Sequence, residues 1–533
     1  MCLLTIALLG GCKFPWWKDK DDDVVFFYGF GDTGSGGSGG NLPTVDLWDG
    51  VSVDAFAGGA GSITDPWRIG TGAQLAYLAQ EVNAGNNFMG EHVTLTANID
   101  LDDHEWTAIG TDTDPFEGAF DGAGHVIYRL SINKSADDYQ GLFGYIGGAE
   151  IQRLGLENVN VTGAGRTGGI AGYVLTGSIE NSFSTGNVSG TNGTGGVAGY
   201  VNSGSIENSY STGTVNGTDN TGGVAGQVNS SSIEDCYSTG NVSGTGRVGG
   251  VAGYVYNSGR IENSYSTGNV SGTGNRIGGV AGYVSGNGGI ENSYSTGNVD
   301  GTGNSTGGVA GYVYNSGRIE NSYSTGNVGG ADYTGGVAGE VYDNSSIENS
   351  YSTGNVDGTL YTGGVAGSVY TSGVSGSYNT GNVGGASFVG GIAGYVYDSG
   401  ISGSYSTGTV GGTGNSTGGI VGEVLNGSSI EHCAALNPWV KAATSGAGRV
   451  VGFINGGNSF TDNAAWNGMG TNGGVSFTTA PNNAGTGITT AQVQDGTGLP
   501  AALKTSPWSY ATGTLPILIG PVGQNNTLPA HLQ

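Results

Sequence analysis

The chain has 533 residues, 112 of them glycine, and 15 Lys plus Arg stand against 42 Asp plus Glu for a net charge of -27. That imbalance argues against nucleic acid or an anionic membrane surface as a partner, since both repel an acidic protein. The glycines follow no Gly-X-Y period, which excludes a collagen triple helix. Cations, glycans and proteins remain open.

In chain order, Leu3 to Leu9 form an apolar run too short to span a bilayer, followed by Gly10, Gly11 and Cys12. Leu9-Gly10-Gly11-Cys12 resembles the lipobox of a bacterial lipoprotein. The resemblance implies a signal over residues 1–12, lipidation at Cys12, and a place at the bacterial outer membrane or cell surface. No Lys or Arg precedes the run, so a start upstream of Met1 is one expectation and a cleaved secretory signal is the alternative. Lys18-Asp19-Lys20-Asp21-Asp22-Asp23 resembles the charged segment of surface-exported lipoproteins, and the Gly-Ser run at 34–40 reads as flexible, so 13–45 is a tether.

Residues 46–140 read as an N-terminal cap with the first coils. Leu75, Leu78, Ala79 and Val82 recur at helical spacing and predict a short lid helix over 73–82, while Val93, Leu95, Ala97, Ile99 and Leu101 alternate as a strand. From 141 to 455 one unit of 27–30 residues repeats, as the valines at 201, 228, 255, 284 and 313 mark. Each copy holds too few apolar side chains to close a core alone, so the copies must stack. The expected fold is all-β, a right-handed parallel β-solenoid of about twelve rungs, on the order of 60 Å long. Residues 456–533, with Trp466, Trp508 and Leu515-Pro516-Ile517-Leu518, read as a C-terminal cap over the last strand edges.

Comparing copies predicts which side chains face inward. Val174, Val201, Val228, Val255 and their successors are invariant, whereas the preceding position varies through Tyr200, Gln227, Glu340, Ser368 and Glu423, so valine is core and its neighbour solvent. Ile206, Ile233 and Ile261 form a second buried column. Two residues on, Asn208, Asp235 and Asn263, then Gly376 and Gly403, mark a left-handed corner. Ser209, Ser211, Gly213 and Val215 then point in, and Tyr210, Thr212 and Thr214 out. Cys236 and Cys433 take the Ser209 position in their copies, seven rungs apart, about 34 Å at the usual strand spacing, and are read as buried free thiols.

Gly141-Leu142-Phe143-Gly144, the recurring Gly-Gly-Val-Ala-Gly, and Ile-Glu-Asn-Ser-Tyr-Ser-Thr-Gly-Asn-Val resemble the GLUG repeats of bacterial surface proteins. Leu75 to Gly85, Leu95 to Leu101 and Phe120 to Ile127 resemble the segment that precedes such repeats. The resemblance implies an adhesin-like surface lipoprotein. Some relatives flank IgA-cleaving metalloproteases, but His92, His104, His125, His432 and His531 never form the His-Glu-x-x-His zinc helix, so that activity does not carry over.

One face offers a site. Tyr237, Thr239 and Asn241; Tyr265, Thr267 and Asn269; Tyr294, Thr296 and Asn298; and Tyr323, Thr325 and Asn327 repeat an outward Tyr-x-Thr-x-Asn pattern, which either stabilises a parallel sheet or forms a flat ligand-binding surface. The column from Glu180 through Glu348 is a solvated carboxylate row on which weak calcium binding is the one cofactor reading. Repeat-breaking residues Glu340, Asp343, Glu423 and His432 are scattered, and Asp102, Asp103, His104 and Glu105 sit at a cap turn, so no catalytic residues and no metal site are assigned. The expected protein is a monomeric, lipid-anchored, non-enzymatic module that binds an extracellular glycan or surface protein. The alternatives are a passive spacer, an ice-binding face and a glycan-degrading β-helix.

Overall fold

The computed structural model describes residue 45, residues 47–521 and residues 524–533. Cys12 and most of the tether lie outside the described residues. From Trp67 to Ile488 the chain winds as turns of one parallel β-solenoid. One turn shows the plan: Arg247–Gly249, Ala252–Tyr256, Arg260–Glu262, Tyr265–Ser266 and Val270–Gly272 are short strands. They pair in parallel with the next turn, Val255 opposite Val284, Ile261 opposite Ile290, Tyr265 opposite Tyr294 and Val270 opposite Val299. Repetition builds a 12-stranded sheet through the valine column and a 15-stranded sheet through the isoleucine column.

The inward parity follows the sequence pattern along most of a turn, but the column before the core valine is not all solvent: Ser368, Tyr173 and Tyr283 are buried, the two tyrosines by stacking on their column neighbours. Val255, Ile261, Ser264, Ser266 and Val270 are buried, Tyr265 is half-buried, and Thr267 and Asn269 are exposed. The corner is left-handed, with φ of 51° at Asn263, 50° at Asn292, 57° at Gly376 and 53° at Gly403. Each turn buries one more aliphatic column than the three that comparison of copies names. The valine of Gly-Gly-Val-Ala-Gly is also fully buried at Val224, Val251, Val280 and Val309.

Beside the corner runs a serine relay: the Cys236 amide donates to Ser264 Oγ at 3.1 Å, and Ser264 Oγ donates to Glu262 O at 2.8 Å. Cys236 and Cys433 occupy this relay as buried free thiols, and burial pushes both up to about 12. They act as small, weakly donating groups without thiolate reactivity.

The cap helix spans Gly72–Asn83, with the Thr71 side chain accepting from the Gln74 amide and Leu75, Leu78, Ala79 and Val82 buried. The single strand expected over 93–101 is two, His92–Leu95 and Ile99–Asp100. The chain turns between them so that Val93 pairs with Phe120 in one sheet and Ile99 with Ile127 in another, which makes the cap strands early turns of the coil itself. At Asp102 and Asp103 the turn has positive φ, and Arg129 pairs with Asp100 at 2.7 Å and Asp102 at 2.6 Å, a structural ion cluster.

A buried threonine column runs inside the coil. Thr306 is fully buried and its hydroxyl has no partner, while the same column holds Val248, Ile277 and Val389. An orphaned buried hydroxyl costs about 1–3 kcal/mol. Thr306→Val, with the same branched shape, is therefore expected to stabilise the protein by about 1 kcal/mol, read as a higher urea midpoint at unchanged slope.

Candidate functional site

The outward tyrosines form one continuous ladder. Nine rings from Phe183 to Tyr405 stack with centroids 4.6–5.1 Å apart and planes 3–7° from parallel. Strict parallel register puts each ring directly over the last. Stacking fills the ring faces and leaves ring edges and hydroxyls to the outside. Burial first, then neighbouring phenols, raises the Tyr237 and Tyr294 hydroxyls above their ordinary range, so they remain protonated.

The asparagines are structural. The Asn269 amide donates to Asn241 Oδ1 at 3.1 Å, Asn298 to Asn269 at 3.0 Å, and Asn327 to Asn298 at 3.1 Å. Each side chain thereby ties one turn to the next, leaving Thr239, Thr267, Thr296 and Thr325 as the exposed row beside the rings.

The ladder is open along only part of its length. Tyr210, Tyr237, Tyr265 and Tyr294 are half-buried, but Tyr323 is 8% exposed and Tyr351, Tyr378 and Tyr405 are at most 1%. The chain's own C-terminal segment covers them. The short helix Pro481–Ala484 closes the last turn, where Asn483 Nδ2 donates to Val451 O at 2.8 Å. Beyond it, Trp508 packs 5.9 Å from the Tyr378 ring and 5.4 Å from Tyr405, with planes tilted by 50° and 48°. Its Nε1 donates to Gly403 O at 3.2 Å, and the Tyr405 hydroxyl donates to Pro516 O at 2.8 Å. Leu499, Leu503, Leu515 and Leu518 complete this apolar cluster. The C-terminal cap is thus also a strap along the tyrosine face, and the expectation that the pattern stays outward over its whole length is corrected: Tyr323 is withdrawn from the accessible surface. The signal lay in the corner residues. Gly376 and Gly403 replace asparagine where the strap docks, and a Cβ on Gly376 would lie 3.5 Å from Pro507.

A second aromatic column occupies the position before the core valine, where variability among copies predicts only a solvent-facing residue. Tyr254, Tyr283 and Tyr312 stack 4.8 and 5.3 Å apart. Arg247 lies 4.9 Å from the Tyr254 centroid and Arg276 4.4 Å from that of Tyr283. Recurrence of Arg seven residues before Tyr, at 166 and 173, 247 and 254, and 276 and 283, would have revealed it. Glu340 interrupts this column, accepts from Ser305, and has its carboxyl raised chiefly by burial.

On the glutamate sheet, Arg318 pairs with Glu320 at 2.7 Å and Glu348 at 3.0 Å, and Arg260 with Glu262 at 3.4 Å. Burial, ahead of the neighbouring carboxylates, raises the Glu180 carboxyl. Among the described residues no group of three or more His, Cys, Asp or Glu side chains converges on a metal-sized site.

The model of the GLUG motif matches residues 163–189, 244–271, 273–300, 302–329, 330–357 and 413–441. Halomucin of Haloquadratum walsbyi is 33% identical over 160 residues, 28% of this chain and 2% of halomucin. A protein of Evansella cellulosilytica, provisionally named a Gly-rich membrane protein, is 35% identical over 109 residues, 20% of this chain and 12% of that protein. The chain therefore spans a small fraction of either relative. A solved structure provisionally assigned as an immunoglobulin A1 protease from Bacteroides ovatus aligns over 87% of this chain and 95% of its own at 18% identity, with a TM-score of 0.21.

Proposed function

The chain is a GLUG-repeat protein, and from that premise we propose that it is a cell-surface β-solenoid, lipid-anchored through Cys12, that serves as an adhesin-like, non-enzymatic binding module. The open tyrosine ladder with its threonine row is the binding face, and an extracellular glycan or surface protein is the partner. The observation that carries this reading is the stretch from Tyr210 to Tyr294, half-buried where the later rungs are fully buried: aromatic edges and exposed threonine hydroxyls repeated at one spacing, with no cover from the strap among the described residues. A rigid aromatic surface loses little side-chain entropy on binding, which suits it to recognition. The names of the relatives, a mucin-like name and a membrane protein, agree with a surface location.

Arrays of glycans and of extracellular proteins, screened with the wild type and with Tyr294→Ala/Thr296→Ala, test the face. Binding that falls at least tenfold in the variant supports it, and identical binding by both proteins refutes it. Membrane fractionation of Cys12→Ala tests the anchor, since release of the protein into the medium is expected only if that sulfur carries lipid.

A further inference from the structure

We propose that the ligand of the open ladder is a polypeptide segment, non-acidic and bearing an indole or leucine-type side chain, that lies along the ring edges as the chain's own residues 499–518 do further along the same ladder. The inference rests on the reading of this ladder as the binding face and names the ligand class.

The two stretches are continuous. From Tyr323 to Tyr405 the stacked rings lie under a polypeptide, and from Tyr210 to Tyr294 rings with the same stacking stay half-buried, outside the strap's buried cluster except where Tyr294 abuts it. Rings stacked at 4.6–5.0 Å over the open stretch have no free faces on which the C–H surface of a sugar could lie. What they present is a ribbed edge, and Trp508 shows how a polypeptide uses it, by leaning one tilted indole across two successive rings.

The polar part of the contact is also available in the open stretch. In the covered part the indole donates to the corner carbonyl of Gly403. The corresponding carbonyls of Asn263 and Asn292 receive no hydrogen bond among the described residues. They stand beside Tyr265 and Tyr294, ring positions equivalent to that from which Tyr405 donates to Pro516 O.

Charge selects further. The open stretch is flanked by Glu207, Glu234, Glu262 and Glu291, whereas residues 499–518 contain Lys504 and no Asp or Glu. A cationic or neutral segment is favoured on this flank and an acidic one repelled.

The test titrates a fluorescent synthetic peptide with the sequence of residues 499–520 into the full chain and follows anisotropy. Saturable binding is expected, weakened at least tenfold by Tyr237→Ser/Tyr265→Ser or by a peptide carrying Trp508→Ala. Tyr237→Phe/Tyr265→Phe keeps the ring edges and loses only the hydroxyl contacts, so it is expected to weaken binding by about fivefold at most, less than the serine pair, which separates a lost ring contact from a lost fold. No saturable binding up to millimolar peptide, or binding indifferent to these substitutions, overturns the proposal. If glycans then bind the wild type and fail on Tyr237→Ser/Tyr265→Ser, only the polypeptide class has fallen. If those substitutions alter no binding at all, the face reading falls with it.

Discussion

Gly297→Ala is expected to destabilise the solenoid by about 3 kcal/mol or more, the upper end of what a single added methyl does to a packed interior. A Cβ at this position would lie 2.0 Å from Gly268 O and 2.6 Å from Gly268 C. The same approach recurs at Gly268 over Gly240 and Gly326 over Gly297, each at 2.0 Å. These contacts are backbone on backbone, so no side chain can swing aside. The turn itself would have to lift, and the hydrogen bonds beside it, such as Thr296 N to Ser266 O at 3.0 Å and Val299 N to Asn327 O at 2.9 Å, would stretch. Gly289 is the control, because a Cβ there meets nothing within 4 Å and other copies carry Ser232, Arg260 or Arg318 in register. Gly289→Ala is expected to be neutral or slightly stabilising by restricting the unfolded chain. Urea unfolding of both proteins checks the contrast. Equal midpoints for Gly297→Ala and wild type would show that the turns are not packed backbone to backbone.

Periodicity made the coil legible because each copy repeats the same burial decision. Invariant Val255 against variable Tyr254 separates inside from outside, and the Asn263 column marks the corner through a backbone preference that owes nothing to distant contacts. What stayed hidden depended on contacts between positions far apart in sequence or on geometry within a column. That Tyr378 and Tyr405 lie under Trp508 requires the C-terminal segment to fold back by more than a hundred residues, and no pattern within one repeat records it. The asparagine ladder reads in the sequence as outward-facing polar surface, because the pattern determines the side of the sheet and not the partner. Asn298 does face outward, yet its Oδ1 accepts the Asn327 amide. Likewise the Tyr254 column looked variable because Gln227 and Glu340 interrupt it, while the stacked arginines that give it meaning lie on a neighbouring strand.

Trp508→Ala is expected to release the strap and leave the coil folded. Removing a buried tryptophan costs about 3–5 kcal/mol, comparable with the stability of a whole small domain. Here the loss falls on a 50-residue-scale segment held by one apolar cluster and few polar contacts, among them Tyr405 to Pro516 at 2.8 Å and His531 Nε2 to Leu436 O at 2.7 Å. The turns pair through backbone hydrogen bonds between Tyr351, Tyr378 and Tyr405 strands that the indole does not make, so the strand signal in circular dichroism should persist. Limited proteolysis should instead cut between residues 489 and 533 at least tenfold faster than in the wild type, and amide exchange should rise there and not at the ladder strands, whose hydrogen bonds run between turns. Proteolysis at the wild-type rate would mean that the indole is not the anchor. The same substitution bears on binding, because a released strap uncovers Tyr351, Tyr378 and Tyr405 and nearly doubles the open ladder from the four rungs that begin at Tyr210. A ligand that reads ring edges should then bind the Trp508→Ala protein with more sites per chain, whereas a ligand that needs the asparagine corners should gain nothing at Gly376 and Gly403.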